Sequence, residues 1–71
     1  MQTIAQIGTP MLKLDESDRD EISQVLQSLD LTERVKTISR GGAMMLVFPN
    51  GYTELDVIDE LHDKGIHFIR Q

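Results

Sequence analysis

Ala43 to Phe48, AMMLVF, is the one sustained apolar run in the chain, bounded by Gly41-Gly42 on one side and Pro49-Asn50-Gly51 on the other. Six apolar residues between breakers fit a short β-strand. A strand with one wet face alternates apolar and polar residues. Here Ala43, Met45 and Val47 point one way and Met44, Leu46 and Phe48 the other, so both faces ask for cover. A central strand is therefore predicted, and the rest of the chain has to be arranged around it.

Before it, Thr3 to Ile7 reads as a first strand ended by Gly8-Thr9-Pro10, with Met11-Leu12-Lys13-Leu14 as an apolar connector. Asp15 and Ser17 are capping types, and Asp18, Asp20 and Glu21 place negative charge at a helix start. Ile22, Val25, Leu26 and Leu29 follow at i, i+3, i+4 and i+7, which predicts a helix from about Ser17 to Leu29. Glu33 to Ser39 contains β-branched Val35, Thr37 and Ile38, and Arg40-Gly41-Gly42 then predicts a hairpin into the central strand. Arg34, Lys36 and Arg40 would share one face of that edge strand, where charge discourages aggregation.

After the run, Thr53 with Asp56 resembles a capping box, and Leu55, Ile58 and Leu61 predict the inner stripe of a second helix, with Val57 on its flank. Lys64-Gly65 supplies a basic last turn and a terminating glycine, and Ile66 to Ile69 predicts a short closing strand.

The order strand, helix, strand, strand, helix, strand predicts a single α+β domain over residues 1–71. Its arrangement would be the split βαβ, or ferredoxin-like, fold: an antiparallel sheet with both helices on one face. A winged helix is the alternative, with 32–39 helical and no hairpin. In the preferred fold the uncovered sheet face carries either Met44, Leu46 and Phe48 or Met45 and Val47, with Ile4 or Ala5 beside them. A contiguous apolar face on a small protein marks an interface, and Met44, Leu46 and Phe48 are the predicted interface residues.

Seventy-one residues without cysteine form a domain near the lower limit of what one core stabilises, so association is an expected source of stability. The lack of cysteine excludes disulfides and thiol chemistry and fits a reducing compartment, and MQTIAQIG has neither a basic nor a long apolar segment; a cytoplasmic setting without membrane contact is expected. Twelve acids against seven Lys and Arg leave a net charge of −5, which opposes direct binding to phosphate backbones.

No catalytic or cofactor pattern stands out. Asp59, His62 and His67 lack the spacing of a metal motif, the carboxylates of the second helix read as a solvated face, and neither Gly8-Thr9-Pro10 nor Arg40-Gly41-Gly42 has the pattern of a phosphate loop. The expectation is no enzyme, no metal and no cofactor.

Arg40-Gly41-Gly42-Ala43 and the apolar run after it resemble the third strand of an RNA-recognition motif, which shares the fold order and stacks bases on mid-strand aromatics. Here Met44 and Met45 stand where the rings would be. VKTISRGGAMMLVF with ELHDKG after it is similar to the end of a small-molecule-sensing ACT domain, whose ligand loop would fall on Gly8 to Leu14 without the expected glycine pattern. Both are likenesses of fold order, and fold order does not establish function.

Ten of the twelve acids lie on or beside the predicted helices, among them Glu54, Asp56, Asp59, Glu60 and Asp63. Three functions follow as expectations. The first is a non-enzymatic interaction protein, a regulator, inhibitor or accessory subunit, using the apolar sheet face on a partner or as a homodimer. The second is an acidic, phage-type nucleic-acid mimic that blocks a DNA- or RNA-handling enzyme through the second helix. The third is an ACT-like ligand sensor.

Overall fold

In the computed structural model, which describes residues 9–71, the chain is a small α+β domain with a four-stranded antiparallel sheet and two helices. The elements are β1 (Met11–Asp15), a 3-10 turn (Glu16–Asp18), α1 (Arg19–Ser28), β2 (Lys36–Arg40), β3 (Ala43–Val47), α2 (Gly51–Lys64) and β4 (Phe68–Arg70). The sheet runs β2-β3-β1-β4, so β3 and β1 are the inner strands.

The central position of the apolar run is as expected, but its neighbour is not. The inner partner of β3 is Met11–Asp15, pairing Met11 with Val47 and Asp15 with Ala43, where the sequence suggested a connector. Met11, Lys13 and Asp15 alternate with the fully buried Leu12 and nearly buried Leu14, which is the pattern of a strand with one wet face. The predicted strand Thr3 to Ile7, with Ile4 and Ala5, lies outside the described residues.

Asp15 ends β1 and makes no side-chain cap, so the helix is entered through the 3-10 turn, where Glu16 pairs with Arg19. Ile22, Val25 and Leu26 are buried, and the α1 stripe packs as its spacing predicts. The hairpin also forms. Arg40 pairs with Ala43 across a two-residue turn in which Gly41 and Gly42 have φ of 58° and 82°, the backbone of a type I′ turn. With Lys36–Arg40 a strand and the hairpin present, the winged-helix alternative, which needs 32–39 helical, does not describe this chain.

Three details of α2 differ from expectation. Its cap is Asn50, whose side-chain oxygen accepts from the Thr53 N–H at 2.8 Å and from the Thr53 hydroxyl at 3.0 Å, so Thr53 is a partner of the cap. The helix thereby starts three residues early, and its inward stripe is Glu54, Val57 and Leu61 with Ile58 half-buried. Leu55 faces out.

The core is one cluster in which Leu12, Leu14, Met44 and Leu46 of the inner strands meet Ile22, Val25, Leu26, Val57 and Leu61 of the helices. Phe48, just past β3, is 1% exposed. Both helices therefore cover the same sheet face. None of the helices among the described residues is long and apolar enough to cross a membrane.

Candidate functional site

The expected interface set is corrected by this packing. Met44, Leu46 and Phe48 lie under the helices and form the core, because the strand's period of two sends them to the side that α1 and α2 cover. The uncovered face belongs to the other set. There Ala43, Met45 and Val47 are half-buried and, among the described residues, flanked by their neighbours within the sheet.

Register assembles this open face into rows. One row runs Lys36, Val47, Met11; the middle row runs Ile38, Met45, Lys13, Ile69; the third runs Arg40, Ala43, Asp15. Two of the four most exposed large apolar side chains, Ile38 at 43% and Ile69 at 50%, stand at opposite ends of the middle row. Lys13, Lys36 and Arg40 are exposed among them, facing one carboxylate, Asp15. Among the described residues the ion pairs are Arg19 with Glu16 and Arg70 with Glu54, so these three cations are in none. Arg34, expected alongside them, lies in the turn before β2. The face thus carries apolar side chains with Lys13 among them and Lys36 and Arg40 in the flanking rows, on a protein whose net charge is negative.

The acidic face is smaller than its sequence suggested. Asp56, Asp59 and Asp63 are exposed and Glu60 is half-buried, whereas Glu54 is 5% exposed and turned toward the sheet, where its carboxylate accepts from Arg70 at 2.9 Å. Sequence spacing alone could have placed Glu54, since it lies at i−3 from Val57 and i−7 from Leu61 on the inward stripe.

No group of three or more His, Cys, Asp or Glu among the described residues could hold a metal ion. A shallow depression at the turn after α1 is lined by Asp30, Thr32, Glu33 and Arg34, all exposed, and offers no enclosed chemistry. The segment proposed as an ACT-type ligand loop contains Met11 to Leu14, which are paired within β1. Phe48, the one aromatic residue at the end of the central strand, faces the core, so the open face has no ring there for stacking a base.

No protein-family model, curated protein or solved structure matches this chain.

Proposed function

We propose that this chain is a small non-enzymatic interaction module of ferredoxin-like architecture, binding a protein through the open face of its sheet. The element order and the sheet order β2-β3-β1-β4 are those of the split βαβ arrangement, which supports the architectural part. The observation that carries the function is the middle row, where Ile38, Met45 and Ile69, from three of the four strands, stand on a sheet face that no element among the described residues covers. A regulator, inhibitor or accessory subunit works by such a surface and needs no catalytic group. The absence of cysteine suits a reducing compartment such as the cytoplasm.

The mimic reading has less support. One of its five carboxylates, Glu54, is withdrawn to Arg70 and Glu60 is half-buried, which leaves only Asp56, Asp59 and Asp63 exposed to imitate a phosphate backbone.

The test is a pair of charged substitutions on the open face, one on β3 and one on its neighbour β2. Ile38→Glu combined with Met45→Glu should leave the circular dichroism spectrum and thermal midpoint near wild type while removing association, whether read as the chain's own mass in sedimentation or as proteins captured from source-cell lysate. Retention of every association by that variant would refute the reading.

A further inference from the structure

Resting on that reading, we propose that the occupant of the open face is a second copy of this chain, seated by the outer face of its α2, so that copies associate head to tail. The four most exposed large apolar side chains divide evenly. Ile38 and Ile69 lie on the open face, while Tyr52 at 84% and Leu55 at 51% lie on the first turns of α2. Among the described residues there are thus two separate exposed apolar patches, on opposite sides of the molecule.

Their charges are complementary. On α2, Tyr52, Leu55, Asp56, Asp59 and Asp63 recur at three- and four-residue intervals and so form one strip, opposite the buried Val57 and Leu61. Apolar side chains begin the strip and carboxylates continue it. The open face has an apolar row with Lys13 within it and Lys36 and Arg40 in the rows on either side, and among the described residues these three cations have no ion-pair partner. The carboxylates of the strip have none either.

The dimensions agree. Four strands spaced about 4.8 Å apart give a face about 14 Å across, and a helix with its side chains is about 10 Å wide. A symmetric pairing of two open faces would instead set three cations against three, with only Asp15 on each side to offset them. Like-charge juxtaposition of that kind is unfavourable, so charge selects the unlike pair of surfaces.

Two unlike surfaces make a heterologous contact, which propagates from copy to copy or closes as a ring. This gives a test by mixing. Lys36→Glu with Arg40→Glu spoils the open face, and Asp56→Lys with Asp59→Lys spoils the α2 strip; all four positions are exposed, so the fold should survive in each, as checked by circular dichroism. In sedimentation at low salt and rising concentration, wild type should form species larger than a dimer. Each variant alone should associate at least about tenfold more weakly. An equimolar mixture should recover species as large as those of wild type, because the native open face of one variant meets the native strip of the other and the two reversed surfaces also complement each other. A chain carrying all four reversals should associate again for the same reason.

Other results overturn the proposal in distinguishable ways. If the α2 variant still dimerises and the open-face variant does not, the contact is sheet to sheet, and only the head-to-tail inference fails. If wild type is monomeric throughout, the second copy is excluded and the open face is left for an unlike protein, decided by the Ile38 and Met45 variant above. If the open-face reversals leave self-association intact, head-to-tail docking and the open-face reading fail together.

Discussion

The Glu54 carboxylate, almost wholly buried at the start of α2, accepts a hydrogen bond at 2.9 Å from the Arg70 guanidinium on the last strand. The contact ties the final residues of the chain to the helix layer across 16 positions of sequence. Its two ends are unequal, since the Arg70 side chain is more than half exposed and the Glu54 side chain is not. Removing the arginine therefore strands a carboxylate where water cannot reach it well. Arg70→Leu should cost about 1–3 kcal/mol in urea unfolding, the range for an unpartnered buried polar group. Adding Glu54→Leu to it should recover most of that loss, which a pair that stabilised by attraction alone would not allow.

Much of the fold was legible because several signals were local. The α1 stripe, the two-glycine hairpin and the terminating Gly65 each depend on residues within a few positions of one another. The misreadings came from choices that only packing makes. β3 is apolar on both sides, so its own sequence cannot say whether Met44 and Leu46 or Met45 and Val47 meet the helices; that is set by which side the crossovers take. In β1 the alternation was present in Met11 to Asp15, but the segment is short, follows Pro10 and contains two charges, and so resembled a connector. On α2, placing the cap at Thr53 instead of Asn50 shifted the inward stripe and hid the burial of Glu54.

The two faces of β3 should separate in a truncation series. Leu46 is fully buried among helix side chains, and Leu46→Ala should cost about 2–5 kcal/mol. Met45 is half-buried and faces away from the core, so Met45→Ala should cost under about 1 kcal/mol in the isolated protein. Chemical denaturation of both variants measures the gap. Equal losses would mean that the open face is covered within the monomer.

The hairpin turn rests on backbone conformation and not on lack of room. A Cβ at Gly41 or Gly42 would meet no atom within 4 Å, yet both residues have positive φ. Gly42→Val should therefore destabilise by about 1–2 kcal/mol through the left-handed backbone alone. Gly41→Asn should be close to neutral, since Asn-Gly suits a type I′ turn. Thermal unfolding of the two variants decides this, and equal midpoints would show that the turn relaxes to another type.

Both helices end in the same way, although only one ending uses glycine. After α2, Gly65 has φ of 70°, its N–H donates to the His62 carbonyl and the Ile66 N–H donates to that of Leu61. After α1, Asp30 has φ of 58°, its N–H donates to the Gln27 carbonyl and the Leu31 N–H donates to that of Leu26. Each is a Schellman ending closed by an apolar pair, Leu61 with Ile66 and Leu26 with Leu31, all four buried. Asp30 occupies the left-handed position that glycine adopts without strain, and its side chain is exposed with no hydrogen bond among the described residues. Asp30→Gly should accordingly raise stability by up to about 1 kcal/mol, less what the freer unfolded chain takes back, whereas Gly65→Ala should lower it by about 1–2 kcal/mol. The opposite signs are the test: measured side by side by urea unfolding, a loss on Asp30→Gly comparable to that on Gly65→Ala would mean that the aspartate contributes something beyond its backbone conformation.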